Sequence, residues 1–415
     1  MLERLISALG AVAILGLCVA ACPRERRAQI SRRCVFGGLG LLVLSALLLL
    51  ETPVVGLFGS VDRAVAGLLG FTREGARFVF GSLVDASGAL GYVFAVQVLP
   101  TILFFSALMS VLYHVGILPW IIERGGALLA RSLGVSGAES FSTVADVFVG
   151  QTEAPLAVRP YVAKMTLSEL NACMVAGFAT TAGGVLAAYV AMLSASVPGI
   201  AGHLVACSVM SAPASLVVAK LMLPESEQPE TTGALRAERG PESANLFEAL
   251  VRGTLDGVKL AVNVGAMIIV FLAVTALLDW LIGALGRGAG VELSLTRLLS
   301  WLFTPLAFLL GVPIEDVTKV GSLLGQKTVF NEFVAYSTLS QNLASDPAWL
   351  SERGRLITSY ALCGFANFGS IGIQIAGYSS LAPERLADLS RLGLRAMIGG
   401  LLTTCLVACV VGVMV

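Results

Sequence analysis

Charged residues are scarce in this chain. Only 13% of its 415 residues are charged, 56% are hydrophobic and the mean hydropathy is +0.87. A soluble domain carries about 25% charged residues, so the composition excludes an ordinary soluble protein. Acidic and basic residues balance at 27 each, and no basic block indicates a nucleic-acid partner.

The chain has only two histidines, and its cysteines are not spaced as pairs of metal ligands. His114 and His203 lie far apart, and the eight cysteines lie in or beside apolar segments without the spacing of a zinc site. An intramembrane enzyme would need a nucleophile with a base, or a set of metal ligands. We therefore interpret the histidines as structural and the cysteines as apolar packing residues. The sequence predicts neither an enzyme nor a cofactor.

Long apolar runs recur along the whole chain, without the alternation of a membrane β-barrel. They predict an all-α membrane protein with about eight spans: roughly 5–22, 35–56, 88–114, 167–192, 198–222, 257–284, 355–378 and 394–415. Residues 60–82 and 117–133 mix charged and apolar residues at helical spacing. We expect these two segments to be amphipathic helices at the outer and the inner membrane surface.

The N-terminal apolar run has an alternative interpretation as a signal peptide, since "VAAC" resembles a lipoprotein cleavage site. A signal peptide carries positive charge before its apolar region. Here the positive residues follow it: Arg24, Arg26, Arg27, Arg32 and Arg33. The positive-inside rule places that cluster in the cytoplasm and favours a first span, with both chain termini external. The polar segment 224–244 and "PERLADLSRLGLR" are then predicted cytoplasmic loops.

Two regions do not fit as spans. Polar residues interrupt about 138–163 at "GQTEAP" and about 313–343 at "GQKTVFNE". Each half has only about 10 apolar residues, whereas a span needs about 20. Such segments enter the membrane as re-entrant hairpins, whose turns survive only where protein or a water-filled cavity satisfies the backbone.

The two predicted hairpins form a repeat. Each precedes a span broken by small and polar residues, "GFATTAGG" in the first half and "GFANFGSIG" in the second. The predicted topology opens one hairpin inward and the other outward, which is the inverted repeat of secondary transporters. Paired re-entrant tips also occur in channels, so an ion channel is the weaker alternative.

Several separated motifs resemble the concentrative nucleoside transporter family. They are "GQTEAPLAVRPYV", "LMLPESE", "NVGAMIIVFLA", "KTVFNEFVAY" and "ALCGFANFGSIGI". The resemblance covers most of the chain from about residue 85 onward. It implies a homotrimer in the inner membrane of a bacterium, with a scaffold in each protomer holding a transport domain that moves like an elevator.

The resemblance also divides the chain. Scaffold helices 1–3 and the external amphipathic helix would occupy residues 1–114, and scaffold helix 6 residues 257–284. The transport domain would comprise 115–223 and 285–415, with 224–256 as a cytoplasmic linker. The implied function is cation-coupled uptake of nucleosides, and a carrier for a nucleobase or another polar metabolite is the nearest alternative.

The family's substrate site maps onto both hairpins and both broken spans. Gln151, Thr152 and Glu153 would face the nucleobase, with Val185 beside it. The residues implied to hold the ribose or line its pocket are Glu332, Asn367, Ser370 and Phe365. A carboxylate can accept hydrogen bonds from both hydroxyls of a cis-diol, and an amide offers a donor and an acceptor to a base edge.

The family's sodium site maps onto Asp146, Val149, Thr180 and Thr181. Hydroxyl and carbonyl oxygens are hard donors that suit a hard cation. Sodium-coupled members carry an asparagine where this chain has Asp146, and a carboxyl can take up a proton in place of the ion. Because Thr180 and Thr181 preserve the oxygen donors, sodium is the expected coupling ion, and a proton is the alternative. Thr180 and Ser370, taken alone, could instead bond back to their own helices.

Overall fold

The chain is helical throughout the residues that the computed structural model describes, which are 1–50, 55–85, 93–231, 235, 243–288 and 293–415. No strand occurs in these ranges. Residues 51–54 of the predicted second span, the start of the third and residues 232–234 and 236–242 of the predicted loop 224–244 lie outside the described residues.

The first half of the chain contributes twelve helices among the described residues. They are α1 (Leu2–Ala21), α2 (Arg32–Leu50), α3 (Val55–Phe80), α4 (Phe94–Gln97), α5 (Leu99–His114), α6 (Ile117–Leu133), α7 (Gly137–Phe148), α8 (Ala154–Ala157), α9 (Arg159–Val162), α10 (Leu167–Ala179), α11 (Gly183–Leu193) and α12 (Ile200–Met222). Both predicted amphipathic helices are present, as α3 and α6.

The second half contributes seven more among the described residues. They are α13 (Leu246–Gly288), α14 (Leu295–Leu309), α15 (Val317–Val329), α16 (Glu332–Ser345), α17 (Glu352–Leu362), α18 (Phe368–Leu381) and α19 (Leu386–Met414). Seven helical stretches of the described chain are long and apolar enough to cross a membrane. The one predicted span that is not among these seven, 355–378, corresponds to the two shorter helices α17 and α18. The chain is a multi-pass membrane protein.

Some predicted boundaries were wrong. The last span begins at Leu386, so most of the predicted loop "PERLADLSRLGLR" is helix. Leu389 and Ala396 of α19 are fully buried at helical spacing, and this packing outweighs the three arginines. In the middle of the chain, α13 begins at Leu246 rather than near residue 257.

Both predicted hairpins are present. In the first hairpin (α7 to α9), Ser136 and Glu139 form a capping box that starts α7. Its returning arm is two short helices, because Pro155 and Pro160 each start a new helix and cannot continue one. In the second hairpin (α15 and α16), Asn331 caps a returning arm that is one continuous helix.

Both broken spans are present as well. Residues 180–182 form the first break, between α10 and α11, and residues 363–367 form the second break, between α17 and α18. The breaks touch each other, since the backbone N–H of Gly364 donates to the Thr181 hydroxyl at 2.9 Å. Gly364 has φ +93°, and a Cβ there would lie 2.8 Å from the Ala179 carbonyl. Glycine permits both this backbone conformation and the close approach.

A buried ion pair anchors the base of the first hairpin. The Lys220 ammonium lies 2.7 Å from Glu139 Oε2 and 3.3 Å from Glu225. Nearby, the backbone N–H of Ala138 donates to the Thr231 hydroxyl at 3.1 Å. The start of the predicted cytoplasmic loop is therefore bonded to the base of α7.

The helices differ sharply in how much of them is buried. In the most apolar stretch of α12, 89% of the residues are buried, against 11% in α13. Helix α13 packs mainly along α5. The centre of the fold thus lies around α10, α12 and α19, and a long apolar face of α13 is exposed.

Candidate substrate and ion site

The tip of the first hairpin contacts the helix that follows the second break. Gln151 Nε2 lies 3.4 Å from the Ser370 hydroxyl, and Gln374 Nε2 donates to Gln151 Oε1 at 3.0 Å. Gln374 also donates to the Met174 carbonyl at 3.1 Å. Ser370 and Gln374 are four residues apart in α18 and share one face of it. The amide of Gln151, in the first half of the chain, is therefore held by α18 of the second half.

The tip of the second hairpin makes the matching contacts. Glu332 Oε1 accepts from the Tyr189 hydroxyl in α11, and Glu332 Oε2 accepts from Asn367 Nδ2, each at 3.0 Å. Asn367 Oδ1 in turn accepts from the Ser370 N–H at 2.8 Å, which caps α18. Each tip thus touches a helix that belongs to the other half of the chain.

These contacts form one connected polar group, which we call the central polar cluster. Its members are Gln151, Tyr189, Glu332, Asn367, Ser370 and Gln374. Gln151, Glu332, Asn367 and Ser370 are only 3–7% exposed. Buried polar groups of this kind are costly unless they are bonded, and at membrane depth they mark functional sites.

The other predicted substrate residues surround this cluster. Thr152 and Glu153 are exposed at the first tip, where the Thr152 hydroxyl donates to Glu153 Oε2 at 2.6 Å. Val185 is buried at the start of α11, and Phe365 is half-buried in the second break. The structure therefore brings Glu332, Asn367 and Ser370 together with Gln151, whereas Glu153 is exposed.

The predicted ion residues lie where the first hairpin meets the first break. Ala182, in that break, lies close enough to Gly150 that a Cβ on Gly150 would be 2.6 Å from the Ala182 Cβ. Asp146, Thr180 and Thr181 are buried. Within the described residues, Asp146 Oδ2 has no hydrogen-bond partner and Asp146 forms no ion pair. A buried carboxylate oxygen without a partner fits a cation.

The predicted threonine hydroxyls have protein partners. Thr180 donates to the Ala176 carbonyl at 2.9 Å, which is the backbone bond considered as an alternative for it. The Thr181 hydroxyl accepts from Gly364 and lies 3.2 Å from the Cys363 sulfur. The Thr180 hydroxyl donates in its bond, so its oxygen keeps lone pairs for an ion.

Sequence reasoning missed Tyr189, Gln374 and Lys327. Gln374 carried a signal, because it is an amide in an apolar helix one turn after Ser370. Lys327 carried one as well, as a lone cation inside "KTVFNEF". Tyr189 lies in an unbroken apolar stretch, and nothing in the sequence separated its hydroxyl from that of an ordinary packing tyrosine.

A separate cavity of about 430 Å³ lies between α3, α5, α11 and α12. Thr72, Thr101 and Ser194 are among its lining residues, and none of the predicted site residues lines it.

The fold and the central polar cluster define an integral membrane transporter built on an inverted repeat. Three family models match in chain order: "Na+ dependent nucleoside transporter N-terminus" over residues 9–83, "Nucleoside recognition" over 95–196 and "Na+ dependent nucleoside transporter C-terminus" over 203–412. The chain belongs to the concentrative nucleoside transporter family, whose members are transporters and not enzymes.

Similar proteins cover the whole chain. A transporter of Haemophilus influenzae is 41% identical across 99% of this chain and 98% of its own length. Sodium/nucleoside cotransporter 1 of Rattus norvegicus is 40% identical across 99% of this chain, which spans 64% of that protein. The solved structure of CNTnw in an inward-facing substrate-bound state has TM-score 0.91 at 40% identity, covering 99% of this chain and 97% of that one.

Proposed function

We propose that this protein carries nucleosides into the cell by sodium-coupled symport. The observation that supports this most is the central polar cluster, in which Gln151 and Glu332 from the two hairpins are linked through Asn367 and Ser370. Family membership and the names of the similar transporters support the substrate class and the ion.

In this proposal Glu332 and Asn367 hold the ribose hydroxyls, and Ser370 assists them. The Glu332 carboxylate is fixed by Tyr189 and Asn367, so its remaining lone pairs point in fixed directions. Bonds from hydroxyls to such a carboxylate are charge-assisted and strong. A site built to bond a hydroxyl rejects analogues that lack it, so ribonucleosides are preferred over deoxynucleosides.

Gln151 reads the base edge with its donor and its acceptor, and Thr152 and Glu153 act beside it from the exposed tip. Val185 and Phe365 line the apolar sides of the same pocket. Gln374 orients Gln151 without contacting substrate, since its amide donates to the Gln151 oxygen at 3.0 Å.

The coupling ion binds at Asp146, Val149, Thr180 and Thr181 in this proposal. Asp146 supplies the carboxylate oxygen that has no partner among the described residues, and backbone carbonyls at the first break complete the set. The membrane potential drives one positive charge inward with about 2.3 kcal/mol per 100 mV. At about 1.4 kcal/mol per tenfold, that alone concentrates substrate roughly fifty-fold.

The elevator motion needs a fixed and a moving body. We assign α5 and α13, which pack along each other, to the scaffold, and the hairpins with α10–α12 and α17–α19 to the moving transport domain. The resemblance implies that α1 and α2 belong to the scaffold, whereas we assign them to the moving body, because α1 packs on α19 and α2 on α12. The Ser7 hydroxyl also donates to the Leu310 carbonyl at 2.8 Å, so these contacts favour moving α1 and α2 with the transport domain.

The exposed apolar length of α13 supports a homotrimer, because scaffold helices that meet around a central axis would cover it. The remaining faces would contact lipid in the inner membrane of a bacterium, with both termini external. Cross-linking of cysteines introduced at Val262 and Ile269, both exposed on α13, tests the assembly. Trimers linked through these positions are expected, and monomers alone would contradict the assignment.

The transport proposal is tested by uridine uptake into proteoliposomes, with sodium and proton gradients imposed separately. Uptake that follows the sodium gradient at constant pH is the expected result. Uptake that follows only the proton gradient would make Asp146 a proton carrier, and uptake with neither gradient would contradict symport.

Competition separates a nucleoside carrier from a nucleobase carrier or a channel. Uridine is expected to compete with labelled uridine, whereas uracil and ribose alone are not. Uracil competing as well as uridine would contradict the ribose assignments. Ion currents far above the rate of uridine uptake would indicate a channel.

A further inference from the structure

The two hairpins place opposite charges at matching positions. Asp146 lies two residues before the end of α7, and Lys327 lies two residues before the end of α15. The helices that follow also match, since α10 ends at Ala179 before the first break and α17 ends at Leu362 before the second. Relative to these ends, Lys327 is the counterpart of Asp146.

Lys327 is fully buried, and its ammonium binds the end of α17. Nζ donates to the carbonyls of Ala361 at 2.8 Å and Cys363 at 2.9 Å, and to the Thr404 hydroxyl at 3.1 Å. The last carbonyls of a helix lack intrahelical partners and form the negative end of its dipole. The ammonium thus bonds three oxygens and neutralises a helix end, as a bound metal cation would.

At the first break, no lysine or arginine side chain among the described residues takes this place. The Phe178 carbonyl, which is the counterpart of that of Ala361, receives no hydrogen bond from any residue the structure describes. Asp146 Oδ2 is likewise without a partner in the described ranges. A buried charge or carbonyl without a bonding partner is costly. The first half therefore requires a cation that the described residues do not supply.

We infer that Lys327 is a built-in cation that fills the second of two equivalent ion positions. The second half of the repeat is therefore closed to exchangeable ions, and a single exchangeable sodium binds in the first half. This inference rests on the proposed sodium-coupled transport and extends it, since Lys327 determines how many sodium ions move with each nucleoside.

Removing the charge opens the second position. In Lys327→Met or Lys327→Gln, the carbonyls of Ala361 and Cys363 lose their cation, and a second sodium can bind them. The ratio of sodium to uridine taken up is expected to rise from about one to about two, and the Hill coefficient for sodium, which is limited by the number of sites, should exceed one. Lys327→Arg keeps the charge and the wild-type ratio.

The experiment measures radiolabelled sodium and uridine uptake by each variant in proteoliposomes. Lys319→Met is the matched control, because Lys319 lies on the same helix and donates to the Trp349 carbonyl at 2.6 Å, away from the second break. That variant should keep the wild-type ratio. A merely structural role for Lys327 would lower uptake at every sodium concentration and leave the ratio unchanged.

Stability in detergent decides the result if the neutral variants do not transport. High sodium is expected to raise their melting temperatures more steeply than that of wild type, because two sites then bind the ion. Neutral variants that keep a ratio of about one, or that sodium does not rescue, overturn the inference. Wild-type protein without sodium-dependent uptake overturns the proposed function as well, so the two failures are distinguishable.

Discussion

Glu332→Gln replaces the buried carboxylate at the start of α16 with a neutral amide of similar size. Charge-assisted hydrogen bonds are about twice as strong as neutral ones, for which about 1 kcal/mol is typical. Losing that advantage for two ribose hydroxyls costs about 2 kcal/mol in affinity, which is roughly thirty-fold. Tyr189 and Asn367, each 3.0 Å from the carboxylate, can still bond the amide and preserve the local fold.

The assay is uridine binding by calorimetry, compared with binding of 2′,3′-dideoxyuridine. The roughly thirty-fold loss should appear for uridine only, because the dideoxy analogue has no ring hydroxyls for Glu332 to accept. Glu352→Gln is the matched control, since Glu352 is the first residue of α17 as Glu332 is of α16, but it is exposed. Equal losses for both ligands, or no loss for uridine, would refute the ribose assignment.

Three further substitutions test other parts of the account. Gly364→Ala forces a side chain into φ +93° beside the Ala179 carbonyl, so a lower melting temperature is expected, with at least about 1–2 kcal/mol lost; unchanged melting would contradict the tight contact of the breaks. Glu139→Gln leaves the buried Lys220 with fewer charges to balance it and should cost about 3 kcal/mol in chemical denaturation, whereas a neutral result would mean that the pair is dispensable. Asp146→Asn should keep sodium-driven uridine uptake but require more sodium for half-maximal rate; an unchanged sodium requirement would contradict the assignment of Asp146 to the ion site.

The sequence predicted the architecture because its main signals are physical limits on membrane helices. The hairpins were predicted from apolar runs too short to span, and both breaks from small and polar residues inside a span. The sequence could not predict which side chains bond to each other, since periodicity does not show that Gln374 reaches Gln151 or that Tyr189 reaches Glu332. The start of α19 was misplaced because three arginines obscured the helical spacing of buried residues.

The distribution of the site between the halves was predicted only in part. The sequence assigned both Glu153 and Glu332 to the substrate site, yet Glu332 is buried in the cluster while Glu153 is exposed at its tip. The structure matches Asp146 with Lys327. These residues differ in charge, so the sequence did not indicate that their positions correspond. Only the helix ends reveal that they match.

The most direct measurement is an experimental structure of the protein with uridine bound. The account predicts the ribose within hydrogen-bond distance of Glu332 and Asn367, with the base beside Gln151. Uridine bound instead in the cavity between α3, α5 and α11, or on one hairpin alone, would contradict it.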